Sequence, residues 1–203
     1  MFTNILDKRQ FELLQLIKIY SRNFYLVGGT AIALQIGHRR SIDFDLFSEK
    51  EIKSQNIKNN LRKNNLKYAI LFEDSEQLHI ILNEVKITFF HYPFNITSSV
   101  KYNNIIKMPD LLTLSAMKAF ALGGRNKWKD YVDLFFLLNK FNLNEVSLKA
   151  CEIFGESFNP KLFRQQLAYF DDINYSEKVE YMISPIQEKE IKEFLTEVAL
   201  TSF

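Results

Sequence analysis

The chain has 203 residues, room for one large domain or two small ones at ~100–200 residues per domain, and none for a long repeat array. Hydrophobic residues make up 47% and charged residues 25%, an ordinary globular mix that excludes disorder by composition. Lys and Arg number 26 against 24 Asp and Glu, which excludes a uniformly basic or acidic chain but not a basic region.

Cys151 can have no disulfide partner within the chain, and His38, His79 and His91 are too scattered for a zinc framework, so a reducing, cytoplasmic setting is expected. The first ten residues lack the apolar stretch of a secretory signal. No apolar run approaches the ~20 residues of a spanning helix, and no membrane partner is expected.

Leu13, Leu16, Ile17 and Tyr20 fall at helical spacing and predict an amphipathic helix over residues 11–20. Residues 24–27 read as a short buried strand, stopped by Gly28-Gly29. A helix over residues 30–36 follows, with Thr30 as its expected N-cap and Gly37 as its stop. Residues 42–46 alternate, Ile42, Phe44 and Leu46 on one face and Asp43 and Asp45 on the other, as in a strand. An exposed helix is expected over residues 51–65, and runs 78–82 and 85–90 around Asn83-Glu84 read as a hairpin. From Pro109 onward the pattern is helical, over residues 110–122, 127–139, 160–170 and 185–200. The predicted class is α+β, with a small mixed sheet flanked by helices over residues 1–100 and a helical bundle over 101–203.

The chemistry-bearing stretch is Gly28-Gly29-Thr30 followed by Asp43-Phe44-Asp45. Carboxylates at i and i+2 of a strand share a face and can hold Mg²⁺ while leaving positions open for substrate phosphates. Glycines opening a helix let backbone N–H groups approach a phosphate at the positively polarised end. Each part alone has a plainer reading, a solvated strand face and a tight turn. Strand, Gly-Gly, short helix and acid-bearing strand in that order favour a nucleotide site.

Residues 27–47, VGGTAIALQIGHRRSIDFDLF, resemble the first motif of the AbiEii-type nucleotidyltransferase toxins, of the polymerase-beta-like nucleotidyltransferase superfamily. A second stretch, Lys118, Arg125 and the run Lys127-Trp128-Lys129-Asp130-Tyr131-Val132-Asp133, resembles that family's Lys, Arg and Asp-x-x-Asp helix motif, and Phe170-Asp171-Asp172 a tail element. The resemblance implies a polymerase-beta-like core and a Mg²⁺-dependent transfer of a nucleoside monophosphate from an NTP to an acceptor hydroxyl. It further implies a bacterial toxin acting on tRNA in a toxin–antitoxin or abortive-infection system, opposed by a cognate antitoxin protein. In that reading Asp43 and Asp45 hold metal, Gly28, Gly29 and Thr30 hold the triphosphate, and the helical half contributes Lys118 and Asp130, with Arg125 and Asp133 on the nucleotide side. Asp130 is a metal ligand or a general base in this scheme. The plainer reading makes Lys118, Asp130 and Asp133 ordinary helix-surface charges.

His38 and Arg39 follow the helix stop, where a loop or capping role weighs as much as substrate contact, and Ser41 reads as structural. Trp128, Tyr131 and Phe47 could stack on a base, although aromatics at such spacing usually fill cores. Superfamily members commonly carry a third carboxylate on a neighbouring strand, and Thr88 stands where it is expected. A hydroxyl is neither an anionic ligand nor a base at neutral pH. Two rivals follow, a degenerate nucleotide- or partner-binding module without turnover, and a transferase acting on a small molecule or a protein hydroxyl. Residues 1–149 hold 21 Lys and Arg against 14 Asp and Glu, and residues 150–203 hold 5 against 10. The part carrying both motifs is therefore basic and the tail acidic.

Overall fold

The computed structural model describes residues 1–201, which form two compact units, one of residues 1–36 and 41–109 and one of residues 37–40 and 110 onward.

In the first unit, α1 (Lys8–Tyr20) opens on a capping box in which Asp7 and Gln10 satisfy each other's backbone N–H groups. Next come β1 (Tyr25–Val27), α2 (Gly28–Ile36), β2 (Phe44–Ser48), α3 (Ser54–Lys63), β3 (Tyr68–Glu73), β4 (Gln77–Leu82) and β5 (Val85–His91). The five strands make one mixed sheet in the order β1-β2-β5-β4-β3, with β2 and β5 parallel and the other neighbours antiparallel. The period-2 pattern sends Phe44, Leu46, Leu78, Ile80, Leu82, Val85, Ile87 and Phe89 into the core. There Tyr20 of α1 meets Phe89 edge-on at 4.9 Å. Asn83 and Glu84 both take positive φ, the primed turn that joins β4 to β5 as expected.

Two expectations change. The acid-bearing strand begins at Phe44 rather than Ile42, whose side chain is exposed, so Asp43 sits just before β2. Thr30 lies inside α2, which already starts at Gly28. Instead of capping, its hydroxyl bonds Ser41 Oγ at 2.9 Å and the Asp43 carbonyl, tying the helix to the entry of β2. Strand β3 carried no period-2 signal because it is the sheet's edge, with Ile70, Leu71 and Phe72 all exposed.

A hairpin of β6 (Val100–Tyr102) and β7 (Ile106–Met108) completes the unit, β7 lying against β1. The boundary expected at residue 100 therefore falls between Pro109 and Asp110.

The second unit holds α4 (Leu111–Leu122), α5 (Trp128–Leu138), α6 (Leu143–Phe154), α7 (Pro160–Leu167) and α8 (Glu188–Leu200). Asp110, Asn142 and Asn159 cap α4, α6 and α7. Helix α6 carries Cys151, which is half-buried in it. Residues 37–40 belong to this unit because Arg39 forms a β-bridge with Tyr181 while Arg40 N–H donates to the Glu180 carbonyl at 2.8 Å. No described helix is long and apolar enough to cross a membrane.

Candidate active site

In the sheet unit, Gly28 takes φ +69°, a conformation open to glycine and strained for other residues. A Cβ there would run into Asp45 Oδ2 and lie 3.3 Å from its Cγ, so the absent side chain lets the Asp45 carboxylate rest against the start of α2. Gly29 is the second residue of that helix. Gly28, Thr30, Asp43 and Asp45 are thus gathered by one turn, one hydroxyl and one strand.

Asp45 pairs in register with Val27 on β1 and with Thr88 on β5, and Thr88 pairs with His79 on β4. Residues paired in register share a face, so Asp45, Thr88 and His79 form one row on the face opposite the apolar core. Thr88 occupies the position beside Asp45 expected for a third carboxylate, and it is 7% exposed. His79 was not singled out from the sequence, because only strand pairing brings it into line with Asp45.

These donors suit a small hard cation. Magnesium is typically held by one or two carboxylates and completed by water and substrate phosphates. Asp45 stands on β2 and Asp43 at its entry, so two carboxylates are available on this segment, with the start of α2 packed directly against Asp45. Among the described residues no group of three His, Cys, Asp or Glu side chains could hold a metal by itself. The pair fits a metal brought in with substrate rather than a closed protein cage.

In the helical unit, Lys118 on α4 and Asp130 and Asp133 on α5 are not surface charges. Both aspartates are fully buried and Lys118 is 4% exposed. Lys118 Nζ lies 2.5 Å from Asp130 Oδ1 and 2.9 Å from Asp133 Oδ2. Arg39 grips Asp133 with two hydrogen bonds, and His38 Nε2 bonds Asp133 Oδ1 at 2.7 Å. Arg125, 46% exposed, donates from Nε to Asp130 Oδ2 at 2.7 Å. Three cations thus face two carboxylates, a surplus of positive charge.

Burial alone would raise both aspartates, but the cations outweigh it. Arg39 and then Lys118 hold Asp133 well below the usual carboxylate range, and Lys118 and then Arg125 lower Asp130. Burial lowers His38, only partly offset by Asp133, so the ring is neutral at pH 7. Since a carboxylate can only accept, Nε2 carries the His38 proton, and the buried Nδ1 has no protein partner. Lys127 and Lys129 both bond Glu177, and despite partial burial they draw its carboxyl down to about 2.

Trp128 and Tyr131 are buried, and the Tyr131 hydroxyl donates to the Tyr169 carbonyl at 3.1 Å. Phe47 packs on Phe90 and Tyr92. All three aromatics have structural partners. His38 and Arg39, undecided from sequence, belong to the buried network. The available signal was a Gly-stopped helix followed by His-Arg, and it did not say which carboxylate they would meet.

The five-stranded mixed sheet flanked by helices, followed by a helical unit, is a fold found in nucleotidyltransferases. MenT4, a nucleotidyltransferase toxin from Mycobacterium tuberculosis, superposes with a TM-score of 0.62 at 12% identity, over 95% of this chain and 82% of that one. JHP933 from Helicobacter pylori gives 0.56 at 16% identity, over 96% and 91%. The Megavirus polyadenylate synthase gives 0.51 at 12% identity, over 66% of this chain and 32% of the other. At such identities the likeness is one of fold. No protein-family model matches the chain. It belongs to the family of the uncharacterized protein aq_aa25 of Aquifex aeolicus, with which it is 32% identical over 199 residues, 93% of each chain.

Proposed function

We propose that the chain is a Mg²⁺-dependent nucleotidyltransferase that moves a nucleoside monophosphate from an NTP to an acceptor hydroxyl and releases pyrophosphate. The observation that carries this reading is the contact of Gly28 with Asp45. A helix start with polarised N–H groups is set directly against a strand carboxylate, an approach that only a residue without a side chain permits. Magnesium, when bound, neutralises triphosphate charge and favours attack on the α-phosphorus. Asp43 and Asp45 hold it, Thr30 fixes the entry of β2, and the N–H groups at Gly28 and Gly29 orient phosphate oxygens.

In the helical unit the motif resemblance assigns Lys118, Arg125, Asp130 and Asp133 to the same reaction. Asp130 is buried and bonded by Lys118 and Arg125, with its carboxyl lowered, so its part is to hold those cations rather than to take a proton. Arg125, half exposed, is the cation of this network best placed to meet phosphate. The resemblance to AbiEii-type toxins implies a tRNA acceptor and a cognate antitoxin, and the likeness in fold to MenT4, a nucleotidyltransferase toxin, supports the toxin part of this reading.

Labelled ATP, GTP, CTP and UTP, each with Mg²⁺ and with or without total tRNA, test the reading. Incorporation into tRNA that is lost in Asp45→Asn is expected. Absence of incorporation from every NTP into tRNA, the protein itself and small hydroxyl acceptors would sink it. Thr88 beside Asp45 favours one second reading, a binding module without turnover. Calorimetry showing NTP binding indifferent to Mg²⁺, together with no product, would establish that alternative.

A further inference from the structure

The row Asp45, Thr88, His79 places an imidazole one strand beyond the hydroxyl that replaces the expected carboxylate. Its orientation is fixed by a chain of bonds. Asp74 can only accept, and Gln77 Nε2 donates to its Oδ2 at 3.2 Å. This turns Gln77 Oε1 toward His79, whose Nε2 lies 2.8 Å away. An amide oxygen also only accepts, so Nε2 carries the proton and Nδ1 presents a lone pair. Phe72 on β3 packs against the ring, centroids 5.7 Å apart.

We propose that His79 is the proton acceptor of the transfer reaction, held in its base-competent tautomer by Gln77 and Asp74 and doing on β4 what a third carboxylate would do on β5. The proposal rests on the transferase reading. The acceptor O–H gives its proton to His79 Nδ1, its oxygen forms a bond to the α-phosphorus, and the α–β bridging P–O bond breaks with its electron pair leaving on pyrophosphate. The groups acting electrostatically on the ring are Lys86 on β5, Asp45 on β2 and Asp74 in the turn before β4. Burial, and after it Lys86, lower the imidazole below its ordinary value, partly offset by Asp45 and Asp74, so it is neutral and able to accept at pH 7.

Two measurements on the full chain test this. In ¹⁵N-resolved histidine spectra His79 is expected in the Nε2–H form, and Gln77→Ala should mix the tautomers; an Nδ1–H ring in the wild-type protein overturns the proposal and leaves the transferase reading intact. In turnover assays His79→Gln and His79→Ala are expected to lower kcat roughly 10²- to 10⁴-fold with KM for NTP unchanged. The acidic limb of the pH–rate profile should vanish, and added imidazole should restore rate to His79→Ala. Wild-type rates in either variant, with the acidic limb retained, overturn the assignment. Failure of wild-type protein to transfer from any NTP removes the transferase reading, and His79 as its base with it.

Discussion

Arg39 and Asp133 form a forked pair, Nε to Oδ1 at 2.7 Å and Nη2 to Oδ2 at 2.8 Å, both side chains buried. A planar guanidinium matched to a carboxylate is a strong ion-pair geometry, yet its net contribution is limited by the desolvation of two charges. What is costly is to strand one partner. Asp133→Leu leaves Arg39 and Lys118 buried without this counter-charge and is expected to cost about 3–5 kcal/mol. Arg39→Met with Asp133→Leu should lose much less than the sum of the two single changes. Urea denaturation of the four proteins of this cycle measures both, and additive losses would contradict the pairing.

His38 gives a pH signature. Its folded pKa lies below the ordinary ~6.5, because burial disfavours the charged ring. Between the folded value and ~6.5 the unfolded chain therefore binds more protons than the folded one, so stability rises with pH there. The contribution is complete above ~6.5 and is lost as pH falls through the unfolded value toward the folded one. Thermal unfolding from pH 7 to 5 should show a steeper decline in wild type than in His38→Gln. Parallel curves would mean that His38 does not titrate in this way.

The sheet unit was largely legible because its signals are local. Phe44-Asp45-Leu46 alternates, Asn83-Glu84 sits between two apolar runs, and Gly37 ends a helix. Strand β3 escaped because an edge exposed on both faces has no alternation, and β6 and β7 because three residues are too few to show a period. In the site, Asp43 and Asp45 stood out by spacing, whereas the partners of Lys118 and Asp133 did not. Arg39 meets Asp133 across a sequence separation of 94, and no window of sequence encodes that. Likewise Thr88 was read as a missing carboxylate, but only strand order puts His79 beside it.

Substitution of the strand acids separates function from folding. Asp45 is half-buried on the polar face and takes no part in the core, so Asp45→Asn should leave the melting temperature nearly unchanged. Turnover should fall by on the order of 10³-fold, the scale of losing a principal electrostatic contact to the reacting phosphate. In the same variant the thermal stabilisation of the protein by Mg²⁺ plus NTP should disappear. Retention of that shift would place metal and nucleotide elsewhere.

Gly28 permits the sharpest comparison, because two effects act at one position. Gly28→Ala imposes a left-handed φ on a residue with a Cβ, at roughly 1–2 kcal/mol, and drives that Cβ into the Asp45 carboxylate. Gly124→Ala is the matched control, since a Cβ there meets only the Ala121 carbonyl at 4.0 Å, an ordinary contact, and Gly124 carries no positive φ. Gly28→Ala is therefore expected to lose both stability and Mg²⁺-dependent NTP binding, while Gly124→Ala keeps the binding. Adding Asp45→Ala to Gly28→Ala relieves the collision but not the strained backbone, so stability should recover in part and nucleotide binding should not. If Gly28→Ala alone binds Mg²⁺ and NTP as wild type does, the close approach of helix start and carboxylate is not what holds the triphosphate.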